Sequence, residues 1–159
     1  MTTINGKACV VNGVPVDKVF SDGKQVYERN LITGTSKEFK TVTASGWGTS
    51  PANKASGKYR AGRYYVSAYI ENTTPVNMKV YVNIYGDDGN FLYNALGGFM
   101  PAGKSGIGSS TFNILEGQFI NSVFVGFESP QTESYTYKYK EAMVKRTPSP
   151  WTPAPEDYI

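Results

Sequence analysis

The sequence predicts an all-β protein, an antiparallel β-sandwich with a short N-terminal β appendage. Three observations carry this reading. Two long runs alternate apolar and polar residues with period two, as strands with one buried face do. The composition is aromatic-rich (14%), charge-poor (18%) and rich in turn formers, with 17 Gly and 9 Pro in 159 residues. No amphipathic helical period of useful length occurs, and turn signals recur between short apolar runs instead.

Residues 1–28 read as short strands joined by tight turns: Ala8-Cys9-Val10-Val11, Val14-Pro15-Val16, Lys18-Val19-Phe20 and Gln25-Val26-Tyr27. Asn12-Gly13 and Asp22-Gly23 between them are dipeptides that accept positive φ in hairpin turns. So small a unit holds little core, so it is expected to dock on a neighbour or on another copy of the chain. Glu28-Arg29-Asn30 is the expected boundary, with the sandwich over 29–147 and a proline-rich tail over 148–159 packed on it.

The central pair of runs is Gly62 to Glu71 and Val76 to Tyr85, separated by Asn72-Thr73-Thr74-Pro75. Their core sets are Tyr64, Val66, Ala68 and Ile70 from the first, and Met78, Val80, Val82 and Ile84 from the second. Read as adjoining strands, they share an outer face that carries Tyr65, Tyr69, Tyr81 and Tyr85 with Arg63, Glu71 and Asn83. Before them lies a polar loop over 45–58, following a segment with Phe39, Val42 and Trp47. After them, Gly86-Asp87-Asp88-Gly89-Asn90 makes a turn and Phe91-Leu92-Tyr93 starts a returning strand. The glycine- and serine-dominated stretch 97–110 reads as loop. Strands follow at Thr111 to Ile114, at Ser122 to Glu128 with Val123, Val125 and Phe127 inward, and from about Ser134 to Val144. The tail Thr147 to Pro155 is proline-locked and extended, with Trp151 pinning it to the sandwich.

Sixteen Lys and Arg against thirteen Asp and Glu give a net charge of +3, scattered rather than clustered. Nucleic acid is therefore not an expected partner, since tracking phosphates needs grouped cations. No leader-like start and no long apolar run occur, so neither a signal peptide nor a membrane span is expected. Histidine is absent and Cys9 is the sole cysteine. That removes the commonest general base, multi-cysteine metal sites and an activated thiol. Asp87 and Asp88 form the one adjacent acidic pair outside the tail, and the turn preference of aspartate accounts for both.

The tyrosine face is the most specific chemical signal. Sugar rings present patches of C–H that lie well on aromatic rings, and their hydroxyls seek amide, carboxylate and guanidinium partners. The candidate carbohydrate-binding residues are Trp47, Tyr65, Tyr69, Tyr81, Asn83, Tyr85 and Asp88. The rival reading makes the same rings a protein–protein contact or a cross-strand stabiliser. An enzyme acting on polysaccharide is the third reading, and lacks a facing carboxylate pair.

The ending Glu141-Ala142-Met143-Val144-Lys145, followed by Pro150-Trp151-Thr152-Pro153-Ala154-Pro155-Glu156-Asp157-Tyr158, resembles the close of carbohydrate-binding-like domains in tail and baseplate proteins of phages infecting Gram-positive bacteria. Arg29-Asn30-Leu31-Ile32 resembles the opening of those domains and Gly62 to Ile70 their central strand. Ile4-Asn5-Gly6-Lys7 through Val26-Tyr27 is similar to the short β modules that precede them. The resemblance implies a jelly-roll sandwich like a carbohydrate-binding module and a virion location after synthesis in the host cytoplasm. It also implies attachment to host cell-wall or surface polysaccharide, beside other tail proteins, without cleavage. A homo-oligomer or multi-copy array is expected because single sugar sites bind weakly. A structural calcium is a further feature that the resemblance allows.

Overall fold

A computed structural model describes residues 10–158, so Cys9 and its surroundings lie outside the described residues. Four short strands come first: β1 (Val10–Val11), β2 (Val14–Pro15), β3 (Lys18–Ser21) and β4 (Lys24–Glu28). They pair as two hairpins, β1 with β2 and β3 with β4, outside the main sheets. Both turns have the expected chemistry, with φ of 51° and 76° at Asn12-Gly13 and 49° and 74° at Asp22-Gly23. Positive φ at both central residues is what a two-residue hairpin turn needs.

The sandwich is built from β5 (Lys40–Gly46), β6 (Asn53–Lys54), β7 (Gly62–Glu71), β8 (Met78–Gly86), β9 (Phe91–Met100), β10 (Ser105–Ile114), β11 (Gln118–Phe127) and β12 (Gln131–Lys145). One sheet has the order β10-β7-β12-β5 and the other β6-β11-β8-β9, with every pairing antiparallel. This is the strand order of a jelly roll. A short 3-10 turn, Pro155–Tyr158, closes the described chain. The core is the one the alternation marks: Tyr64, Val66, Ala68 and Ile70 of β7 and Met78, Val80, Val82 and Ile84 of β8 are all buried, as are Val123, Val125 and Phe127 of β11.

Two expectations fail. The first is that β7 and β8 adjoin. They lie in different sheets and face each other across the core, so residues 72–77 form an arch between layers. Asn72 is its keystone. Buried, it donates through Nδ2 to the carbonyls of Val76 (2.8 Å), Met100 (3.3 Å) and Pro101 (3.0 Å), and its Oδ1 accepts from Thr74 N (3.1 Å) and Oγ1 (2.7 Å). Period-two patterning fixes which face a strand buries but not which strand lies beside it, so an arch and a hairpin read alike.

The second failure is the loop over 97–110, which narrows to a turn over 101–104 between the end of β9 and the start of β10. The small residues there serve close packing where the edges of the two sheets meet. A Cβ on Gly98 would stand 2.4 Å from the Gly108 carbonyl carbon, and one on Gly97 2.5 Å from a Val66 methyl. Glycine in a strand marks such an approach.

The tail is anchored from below. Thr152 Oγ1 donates to the Glu28 carbonyl (2.9 Å) and Thr147 Oγ1 to the Glu28 carboxylate (2.6 Å), while Arg29 pairs with Glu156. Lys145, 1% exposed, donates to Ser149 Oγ (3.0 Å) and the Pro150 carbonyl (2.6 Å). Burial lowers its pKa from 10.5 to about 8, with the nearby Glu28 carboxylate pulling the other way. The consequence for stability has a definite sign. Between pH 8 and 10.5 the unfolded chain holds a proton that the folded chain has released, so folding gains stability as pH rises through that window. Below it, both states are protonated and the cost of burying the charge is complete. Tyr64, Tyr137 and Tyr139 act oppositely: burial raises their pKa, so above about pH 10 the unfolded chain ionises first and stability falls. Thermal melts are expected to show a rise in Tm from pH 8 towards 10 that Lys145→Met abolishes, then a fall shared by both proteins.

Candidate carbohydrate-binding face

The outer face of the β6-β11-β8-β9 sheet is ordered in rows by strand register. Tyr81 stands between Leu96 and Phe124, Asn83 between Asn94 and Ser122, and Tyr85 between Phe91 and Phe119. Side chains opposite one another in antiparallel register leave the same face. Two ring-bearing rows therefore flank a row of amides and a hydroxyl. The ring rows lie four residues apart along β8, about 13 Å.

Trp47 completes the first row from above. Its loop leaves β5 through Gly46 and Gly48, with φ of 61° and 59°. Gly48 lies flat on the Phe127 ring, where a Cβ would come within 2.2 Å, and Gly126 leaves room for the Trp47 carbonyl, 2.9 Å from where its own Cβ would sit. The backbone is then clamped: Phe127 N donates to the Trp47 carbonyl (2.8 Å) and buried Tyr137 donates its hydroxyl to the Gly48 carbonyl (2.6 Å). The indole remains 55% exposed. A rigid loop carrying a free ring is what a stacking platform requires, because little motion is lost on binding.

Between Trp47, Thr49, Tyr81, Asn94 and Phe124 lies a groove of about 290 Å³, near the lower end of the range for small-molecule sites. Phe124 stacks on Tyr81, with centroids 5.1 Å apart and planes 14° off parallel. The Asn83 amide donates to Ser122 Oγ (2.8 Å), and the side chain is half-buried. Tyr85 packs edge-on against Phe91, and Phe119 is capped by Lys58 Nζ at 5.0 Å and by Arg60 at 6.0 Å. Among the described residues the groove's lining carries no carboxylate.

The structure divides the sequence-derived candidates. Trp47, Asn83 and Tyr85 stay together on this face. Tyr81 belongs to it but is not an open platform. It is buried, its hydroxyl donates to the Phe127 carbonyl (2.7 Å), and burial, then the nearby Glu128, raises its pKa. Tyr65 and Tyr69 are a correction: they leave β7 on the outer face of the opposite sheet, because β7 and β8 sit in different layers. Asp88 lies beyond the end of β8, where it accepts from Asn90 N and Nδ2 (both 3.0 Å); these bonds hold its carboxyl below the usual range. Asp87 pairs with Arg60. Among the described residues no three of His, Cys, Asp and Glu gather around a common point.

Phe124, Asn94 and Thr49 are the lining residues that sequence reasoning missed. Phe124 was within reach, since inward Val123 and Val125 oblige the residue between them to face out. Asn94 was not, because bulges between β8 and β9 shift the register that places it beside Asn83.

No family model matches the chain, and no curated protein does. Among solved structures the chain is similar to the N-terminal CBM22-1 and GH10 modules of Clostridium thermocellum endo-1,4-beta-D-xylanase 10B complexed with xylohexaose. The TM-score is 0.43 and the identity 10%, over 75% of this chain and 27% of that one. It is also similar to a mutant of CBM29-2, from work on ligand recognition by family 29 carbohydrate-binding modules, with TM-score 0.41, 14% identity, 99% of this chain and 96% of that one.

Proposed function

We infer that the protein is a non-catalytic carbohydrate-binding component of a phage tail or baseplate, holding host cell-wall or surface polysaccharide on the β6-β11-β8-β9 face. The observation that carries sugar binding is the clamped, half-exposed Trp47 over a groove whose other walls are Phe124, Tyr81 and Asn94. A pyranose lying on Trp47 and Phe124 meets rings with its C–H patches, and Asn83 and Asn94 offer its hydroxyls both donors and acceptors. The virion setting rests on the likeness of the chain's ending and central strand to tail and baseplate domains.

A single groove of this size supports millimolar affinity, about 4 kcal/mol, so adhesion draws on several copies acting together, beside other tail proteins. A glycan array that includes wall polysaccharides of Gram-positive bacteria tests this. Retention of at least one polysaccharide, stronger for a multivalent display than for the free chain, is the expected result. An assembly contact is the second reading, favoured by the exposed Phe91, Leu96 and Phe99 along β9. A solution oligomer that covers this face, together with a blank array, would establish it instead.

A further inference from the structure

The opposite face of the sandwich holds a second, smaller slot, and we propose that it binds an alkylated ammonium group. Tyr65, Ser67 and Tyr69 leave β7 outward, and Ser67 stands opposite Met143 of β12 in register. Ser67 and Met143 are buried and form the floor, while the half-buried Tyr65 and Tyr69 rise on either side of Ser67. Trp151 of the tail lines the slot with them, held by its indole N–H donating to Thr35 Oγ1 (3.3 Å) and by the Lys145 ammonium bonded to Ser149 and Pro150. Glu141 supplies the charge. It sits in the bulge between Lys140 and Met143 with φ of 56°, and its carboxylate pairs with no Lys or Arg among the described residues.

Size and chemistry select the ligand. The slot is about 70 Å³, a quarter of the groove's 290 Å³, so it suits a compact group such as a methylated nitrogen better than a pyranose with its hydroxyls. Two tyrosines and a tryptophan beside a carboxylate form the arrangement that holds such a cation, with the ring faces supplying negative potential and the methyl groups supplying contact. The same surface already holds one ammonium on its rings: Lys140 Nζ lies 5.3 Å from the Tyr69 centroid and 4.8 Å from that of Phe39. Lys145, the other cation nearby, is tied to the tail and close to Glu28.

The slot is separate from the groove of the proposed sugar site, so it can be tested whether or not that reading holds. In a Trp47→Ala background Trp151 is the single tryptophan, and its fluorescence reports the slot. Choline is expected to give a saturable change at millimolar concentration and to raise the Tm of the wild-type chain. Ethanolamine and the neutral isostere with carbon in place of the choline nitrogen should each bind about fivefold or more weakly, since one such contact is worth about 1 kcal/mol. Glu141→Gln should weaken choline by a similar factor without changing Tm in the absence of ligand. Equal binding of choline and the isostere, equal binding of choline and ethanolamine, an unchanged Glu141→Gln, or no choline effect on either readout would each overturn the proposal.

Discussion

Trp47→Ala should lower affinity for the bound polysaccharide about thirtyfold, the usual cost of about 2 kcal/mol for removing an aromatic hot spot, and leave the fold intact. The indole is half exposed, and the hydrogen bond that holds its loop uses the backbone carbonyl, which alanine keeps. A surface change of this kind stays within about 0.5 kcal/mol, or one to two degrees of Tm for a chain of this length. Phe124→Ala should also lose binding, but it strips a stacking partner from Tyr81 and so lowers stability as well. Tyr81→Phe separates the two effects. It removes the hydroxyl that serves the Phe127 carbonyl, at about 1 kcal/mol of stability, and leaves the ring in the groove wall with affinity nearly unchanged.

The control on the other sheet decides between two geometries. Tyr65→Ala should not alter polysaccharide affinity, because its ring leaves the opposite side of the sandwich from Trp47. If all the outward tyrosines of β7 and β8 made one surface, that variant would lose as much as Trp47→Ala. Titrating each variant by calorimetry against the polysaccharide identified on the array checks both statements. Wild-type affinity in Trp47→Ala would remove the groove as the sugar site.

What was legible in the sequence follows from how local each signal is. Tyr64 to Ile70 and Met78 to Ile84 alternate cleanly, and every residue they assign to the core is buried. The hairpin turns at Asn12-Gly13 and Asp22-Gly23 were equally readable, since positive φ is a property of two residues and their neighbours. Pairing is not local. Nothing between Asn72 and Asn77 says whether the chain turns back within its sheet or crosses to the next. The deciding contacts run from Asn72 to Met100, Pro101 and Lys104, far along the chain. The candidate site inherits that limit. Its members on β8 and Trp47 were found from pattern and composition, whereas the division of the tyrosines between two faces needed the layer assignment.

Gly98→Ala should be among the most damaging single methyls in the sandwich, costing about 3 kcal/mol or more and about 6–12 degrees of Tm. Two terms add at this position. The φ of 127° is one that a side chain rarely adopts, worth of order 1–3 kcal/mol. The new Cβ would also stand 2.4 Å from both the Gly108 carbonyl carbon and Ser109 N, backbone atoms of β10 that have no rotamer to change. Relief requires β9 and β10 to separate where the two sheets meet. Gly103→Ala is the matched control. Its φ of 70° carries strain of the same kind, but nothing lies within 4 Å of the added methyl, so it should lose only about 1 kcal/mol. The difference between the two melts measures the close approach together with the extra strain of φ 127° over φ 70°. β9 also carries Asn94 into the groove's lining, so Gly98→Ala should weaken polysaccharide binding even at temperatures where it remains folded. If Gly98→Ala and Gly103→Ala melt together, the edges of the two sheets do not touch at Gly98, and the glycines between 97 and 108 owe their presence to something other than packing.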